Sequence, residues 1–352
     1  MIRNLNFALW LSTIPLVLTI NFAKENPSII ERFYSGLIYP WFFKIHQFFF
    51  QLFPFSYGDI FYLIFAIFII NQIIKKGQYW FVKPWSFFND FGASMILVLW
   101  IFYLSWGFNY HRESLSNQLG ISTNYNKKDL VDVMKKLIVN VNQLHKELVK
   151  FDSIAVSPTN SKSFFLKSTT IYHPTNRTFK IKSSNVKQSM YSLPLSYMGY
   201  AGYLNPFTLE SQVNSKIPTL NLITTLLHET AHQIGYASEK EANFIAYYSA
   251  IKNDDPYVRY AGFSFALRYF LSELYIIDKT IASQLLEEIN FGVLLNFKEA
   301  ADFWKKYDNP FEIIFDKTYD IYLRANGELS GLKSYNEIVG LVINYHKSIE
   351  EI

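Results

Sequence analysis

The chain contains no cysteine. That absence excludes disulfides, thiolate metal sites and thiol catalysis, so any metal has to be held by histidine and carboxylate. Charge is sparse as well. Asp, Glu, Lys and Arg make up 18% of the 352 residues, against roughly 25% in ordinary soluble chains. The formal net charge of +4 is small and no long basic run occurs, so nothing supports nucleic-acid binding. Repeats and low-complexity tracts are absent, and no nucleophile elbow supports a Ser/His/Asp hydrolase. Apolar residues fill the place of charge: half the chain is hydrophobic and 18% is Phe, Trp or Tyr. Such a balance suits a few spanning helices joined to a water-exposed domain, and the chain is long enough for both.

Three stretches of about 18 residues, the length needed to cross a hydrocarbon core of about 30 Å, have no charge in their interiors. They run from Leu5 to Ala23, Tyr57 to Ile74 and Phe91 to Phe108. The first follows Arg3 as a signal peptide would, but Phe22 is too large for a good cleavage site, so the segment is expected to be retained. Lys75, Lys76 and Lys83 follow the second stretch and Arg3 precedes the first. By the positive-inside rule the N-terminus is then cytoplasmic and everything after about Tyr110 is extracytoplasmic, although Lys24, Arg32 and Lys44 oppose this. The aromatic stretch from Phe33 to Phe55, interrupted by Pro40 and Lys44, reads as an interfacial or re-entrant segment, with a fourth span as the alternative.

Composition changes near Arg112. Apolar residues from Leu130 to Leu148 recur at three- and four-residue steps, the mark of an amphipathic helix within 126–151. The segment 153–182 alternates and is rich in β-favouring residues, with turns expected at 158–161 and 173–176. Residues 192–214 read as strand and loop. From Ile217 onward helices are expected over 219–234, 239–252, 257–277, 280–289, 298–307, 310–324 and 335–349.

The stretch with most chemical content is LNLITTLLHETAHQIGYASEKEANFIAYYSA, residues 220–250. It holds His228-Glu229-Thr230-Ala231-His232, an HExxH pattern. Residues four apart share a helix face, so the two imidazoles can share one Zn2+ ion. Glu229, one residue past the first ligand, can act as general base on a metal-bound water. Gly235 can end the helix. The bland alternative is a pair of helical histidines that satisfy core hydrogen bonds. Ser238-Glu239-Lys240-Glu241 fits a capping box, which would occupy Glu241 at the helix start. Glu239 shares a face with Asn243, so Glu239 is the favoured third ligand and Asn243 its partner group, with Glu241 left open. Tyr247, Tyr248, Tyr319, Tyr322 and Arg324 are candidate oxyanion donors. His111 and His173 are histidines able to approach the site, while His46 and His346 read as surface or interface residues. A third histidine of the metzincin kind is missing, because Ser238 stands at its position.

HExxH followed by E-x-E-A-N-F-x-A resembles the gluzincin zinc peptidases, in which the next helix supplies a glutamate ligand. Over nearly its full length the chain resembles the bacterial membrane family called domain of unknown function 3810. The resemblance is carried by the N-terminal spans, residues 107–112, Pro206-Phe207-Thr208 with Glu210, the segment 228–244, Tyr319-Asp320-x-Tyr322-Leu323 and Gly331 to Tyr335. Asn243 departs from the broader class, where Asp is usual. The resemblance implies a mainly α fold with a small β-sheet: transmembrane helices over 1–110, then an extracytoplasmic α+β zincin-like metallopeptidase domain over 111–352. The expected protein sits in the bacterial inner membrane and binds zinc through His228, His232 and Glu239, with Glu229 as its catalytic base. Its expected partners are a peptide or protein substrate and the lipid bilayer. The competing readings are a peptidase-derived sensor or scaffold without catalysis, and a transporter component, which the charge-free spans disfavour.

Overall fold

The computed structural model describes residues 2–50, 52–158, 160–175, 180–182 and 186–349. The protein is mainly helical with a small three-stranded sheet, and it divides into two compact units. One comprises residues 1–113 and 205–210, the other residues 114–204 and 211–352.

In the first unit three helices are long and apolar enough to cross a membrane: Leu5–Glu25, Tyr57–Val82 and Pro84–Ser105. At most 22% of the most apolar stretch of any of them is buried by protein, so their surface needs lipid as its solvent and the chain is membrane-associated. The boundaries differ from those the sequence suggests. Lys75 and Lys76 lie inside the second helix, which runs on to Val82. The third begins at Pro84, where proline is tolerated because a first-turn N–H has no partner anyway. It therefore takes in Asp90, a charge that the reading from Phe91 left outside. Asp90 is not bare: Asn6 Nδ2 donates to it at 3.0 Å and Lys76 Nζ lies 3.6 Å away. The helix ends at Ser105, and Gly107–His111 form a 3-10 turn.

Residues 30–50 are helical throughout, a π-helix Ile30–Ile38 continuing as an α-helix Tyr39–Phe50. The interruption expected at Pro40 does not occur: the π-helix passes directly into the α-helix at Tyr39. The loop 205–210 completes the unit. Glu210 Oε2 accepts the Gly58 N–H at the start of the second span at 2.7 Å, and Pro206 O accepts Ser105 Oγ at 2.8 Å.

The second unit is built around a long helix Lys127–Leu148 packed on Pro256–Ile277. Asn126 and Asp129 close a capping box at the start of the first, and its apolar stripe from Leu130 to Leu144 is buried. Against this pair lie Thr219–Gln233, called here the motif helix, and Glu239–Ile251, the ligand helix. The ligand helix is buried on almost every side, as a helix at the centre of a domain must be. Strands β1 (Thr170–Tyr172) and β2 (Lys180–Lys182) pair antiparallel. Strands β3 (Val186–Gln188), β4 (Gly202–Leu204) and β5 (Ser211–Val213) form a sheet of order β3-β5-β4, with β3 parallel and β4 antiparallel to β5. Among the described residues β4 is thus an edge strand.

Most helices downstream of Ile217 match the expected ones to within a turn. The exceptions have local causes. Lys162–Ser168 is a helix where strands were expected, since Ser161 caps it by accepting the Phe164 N–H. Ser192–Tyr197 is helical as well. Phe291–Tyr307 starts seven residues before the expected 298, after Asn290. The last helix begins at Ile338 rather than Tyr335, behind a 3-10 turn opened by Gly331 at φ +58°. Of the expected turns, Thr159 and Asn176 lie outside the described residues.

Candidate metal centre

The motif helix ends at Gln233, and its ending shapes the site. Gly235 takes a left-handed conformation, φ +92°. Its N–H bonds His232 O at 2.9 Å, and the Tyr236 N–H bonds Ala231 O at 3.1 Å, a Schellman closure that glycine makes easy. The reversal brings Tyr236 O to within 2.6 Å of His232 Nδ1. A carbonyl only accepts, so His232 carries its Nδ1 proton there. His228 Nδ1 meets Asn243 Oδ1 at 2.8 Å in the same way. Both rings are therefore oriented from behind and turn Nε2 toward each other, 3.0 Å apart.

The ligand helix starts at Glu239, directly after its N-cap Ser238. At the first helical position the carboxylate sits at the positive end of the helix dipole. Glu239 Oε2 lies 3.1 Å from His228 Nε2 and 3.6 Å from His232 Nε2. Buried as it is, this oxygen accepts no hydrogen bond. Its twin, Oε1, accepts Tyr319 Oη at 2.6 Å. The three inward atoms form a triangle with edges of 3.0, 3.1 and 3.6 Å. Ligands 2.0–2.1 Å from a tetrahedral Zn2+ stand about 3.3–3.4 Å apart. Two imidazole nitrogens and a carboxylate oxygen are also a donor set that suits zinc. Among the described residues this is the one His/Asp/Glu group with such convergence.

Glu229 is 4% exposed, and its Oε2 likewise has no hydrogen-bond partner. Burial pushes its carboxyl up to about 7, against the attraction of His228 and His232 and with help from the charge of Glu239. Edge strand β4 runs closely past it. A Cβ on Gly202 would stand 2.8 Å from Glu229 Oε1 and 2.7 Å from Gln212 O. Position 202 admits no side chain, and the strand backbone comes right up to the carboxylate.

Burial by itself would lower His232, but the negative charge of the adjacent Glu239 carboxylate, joined by Glu229 and the Tyr236 carbonyl, raises it to about 9. Glu239 is shifted the other way. Burial opposes its charge, yet the two imidazoles outweigh that and hold it well below the usual carboxylate range.

The structure brings together His228, His232, Glu239, Glu229 and Asn243, as the spacing anticipated. It does not form the expected capping box. Ser238 makes no cap hydrogen bond, and Glu241 Oε1 instead accepts the Leu115 N–H at 2.6 Å, capping another helix. Glu241 is thereby occupied away from the two histidines. Of the candidate donors only Tyr319 touches the cluster. Tyr322 stacks on Tyr319 with ring centres 5.9 Å apart. Tyr247 is fully buried with its hydroxyl on His346 at 2.8 Å, Tyr248 packs on Tyr345, and Arg324 pairs with Asp320. His346 is therefore a core residue, not a surface one. His173 stands one step removed, bonded through Nε2 to Tyr236 Oη at 3.1 Å, and His111 belongs to the first unit. Gly202 and the Tyr236 carbonyl were not foreseen. Gly235 gave a signal for the second, since a glycine three residues past HExxH implies a reversal over its last histidine.

Tyr319 fixes which oxygen of Glu239 faces inward. Tyr319→Phe is expected to leave the fold intact and lower zinc affinity roughly tenfold, as loss of a hydrogen bond behind a metal ligand does. A competitive zinc titration measures this, and unchanged affinity would show that the bond does not support the ligand.

The chain belongs to the family described as a protein of unknown function (DUF3810), whose profile matches residues 34–343. Comparison with curated proteins and with solved structures finds no match.

Proposed function

We propose that this protein is a membrane-anchored zinc metallopeptidase of the bacterial inner membrane, with a zincin-like domain over residues 111–352. The observation that carries the proposal is the triangle of His228 Nε2, His232 Nε2 and Glu239 Oε2 with the Glu229 carboxylate beside it. His228, His232 and Glu239 would hold the ion. When bound, zinc supplies a Lewis acid that acidifies water and polarises a peptide carbonyl.

The chain's own residues supply the rest. Glu229, raised to about 7 by burial, is matched to taking a proton from water at neutral pH and passing it to the leaving amine. Asn243 and the Tyr236 carbonyl hold the Nδ1 proton of each ring on the side away from the cluster, so that Nε2 is the nitrogen offered to the ion. Among the described residues β4 ends the sheet beside Glu229, and an extended peptide can add along it as a further strand. Lys83 between the second and third spans, Lys75 and Lys76 near the end of the second, and Arg3 ahead of the first in the sequence favour a cytoplasmic N-terminus and an extracytoplasmic site.

The deciding experiment uses the full-length protein in detergent or proteoliposomes with a fluorogenic peptide library. Cleavage that a chelator abolishes and Zn2+ restores is expected. One zinc per chain with no cleavage of any peptide would overturn the peptidase reading in favour of a peptidase-derived sensor or scaffold.

A further inference from the structure

The helix Glu312–Ala325 has a second surface that the metal centre does not use. Its inner side presents Tyr319 to Glu239. On its outer side Ile314, Lys317, Thr318, Ile321, Arg324 and Ala325 recur at three- and four-residue steps, one continuous stripe, and all are exposed. Phe311, Ile313, Ile314, Ile321 and Leu329 are between 59% and 82% exposed. Single exposed apolar residues are ordinary, but five large ones in a segment of nineteen residues mark a contact surface.

We propose that this stripe lies on the membrane surface, with the isoleucines in the interfacial layer of the bilayer. Three observations favour lipid over other occupants. The second unit is covalently tied to the membrane-spanning one by three chain passages, at 113/114, 204/205 and 210/211, so a bilayer is always at hand. Tyr200 packs on this helix, its hydroxyl 3.4 Å from Phe315 O and its ring 5.7 Å from that of Tyr319, and it stands four residues before one of those passages. The stripe also mixes isoleucine with Lys317 and Arg324, while Glu312, Asp316 and Asp320 follow a separate four-residue row. Apolar residues interleaved with cations are the pattern of helices that lie in the headgroup region. Arg324 is held by Asp320 at 2.7 Å, so Lys317 is the cation offered to anionic headgroups and apolar burial supplies most of the attraction.

The cysteine-free sequence makes the test direct. Single cysteines are placed at Ile314→Cys and Ile321→Cys, with Asp302→Cys on the preceding helix as a control. Each full-length variant is labelled with an environment-sensitive fluorophore. The labelled protein is reconstituted in phosphatidylethanolamine vesicles containing a minority of phosphatidylglycerol. Quenching by nitroxide lipids is compared with quenching by iodide in the water. At positions 314 and 321 lipid quenching is expected to exceed that at 302 by about twofold or more, as for groups about 5–10 Å into the boundary layer. Should a variant fail to accumulate, Lys317→Cys on the same stripe replaces it. Iodide reaching 314 and 321 as freely as 302 would overturn the proposal. So would shielding from both quenchers with cross-linking between chains, which would assign the stripe to a second copy. Neither readout depends on metal or cleavage, so failure here leaves the peptidase reading untouched.

Discussion

Glu229→Gln is expected to retain zinc and lose peptide cleavage by about 10²–10⁴-fold, the usual contribution of a positioned general base. The side chain is isosteric and makes no contact that orients the histidines, so the metal triangle survives. Burial pushes the carboxyl to about 7, so at neutral pH a large fraction is ionised and able to accept a proton, a capacity that an amide lacks. His228→Ala and Glu239→Ala are expected to lose both metal and cleavage, since each removes one corner of the triangle. Glu241→Ala separates the two glutamates. It is expected to keep one zinc per chain while losing about 1–3 kcal/mol of stability, because the buried Leu115 N–H loses its acceptor. Metal content by mass spectrometry, cleavage rates and denaturant unfolding on the four variants read all of this. Wild-type cleavage by Glu229→Gln would remove the residue from the mechanism. Zinc lost from Glu241→Ala but kept by Glu239→Ala would reverse the ligand assignment.

Two kinds of information account for what the sequence discloses about this site. Helical periodicity is local, so His228 and His232 on one face, and Glu239 with Asn243 on another, follow from residue spacing alone. How the two helices face each other depends on the chain reversal between them. Gly235 announces that a reversal exists, but the position of Tyr236 O over His232 depends on backbone angles that spacing does not reveal. The capping box at Ser238 failed for a related reason. Its pattern is local, but Glu241 found a better partner at Leu115, 126 residues away in sequence. Tyr319 came from still farther, 80 residues beyond Glu239, and one tyrosine among 25 carries no mark of its role. Gly202 is the opposite case, a residue whose meaning lies in what it lacks. Only the packing of β4 against Glu229 shows why no Cβ is allowed there.

Among the spans, composition identified the three helices but not their ends. Hydropathy averages over a window, whereas an end is set by single events such as Pro84 at a first turn or the Asp90 charge being met by Asn6 and Lys76. The pairing of Asp90 also tempers the argument that the spans are free of charge. The charge is present, but it is matched by partners within the same unit and does not stand alone in the hydrocarbon.

Zinc affinity is expected to rise about tenfold per pH unit between pH 6 and 8, because binding displaces one proton from the site. In the metal-free protein Glu239 raises His232 to about 9, so at neutral pH this ring is protonated on both nitrogens. Its Nε2 proton lies between the two rings, which are 3.0 Å apart, where the ion would sit. Glu239 is already ionised and contributes no proton. The same shifts set the stability of the metal-free domain. His232, raised from its ordinary 6.5, stabilises fully below about 6.5, and this contribution is lost as pH rises through 9. Glu239, depressed, stabilises above about 4.5, and this contribution is lost as pH falls toward its folded value. Glu229, raised to about 7, costs stability progressively as pH climbs from about 4.5 to 7. The metal-free domain is therefore expected to be most stable in mildly acidic solution and zinc binding to be favoured in mildly basic solution, so any stabilisation by zinc is expected to grow with pH. Competitive zinc titrations at several pH values measure the slope. Calorimetry in buffers of different ionisation enthalpy counts the proton released, about one at pH 7. A flat affinity between pH 6 and 8 with no proton released would mean that His232 is neutral before the metal arrives, and that Glu239 reserves its charge for the ion.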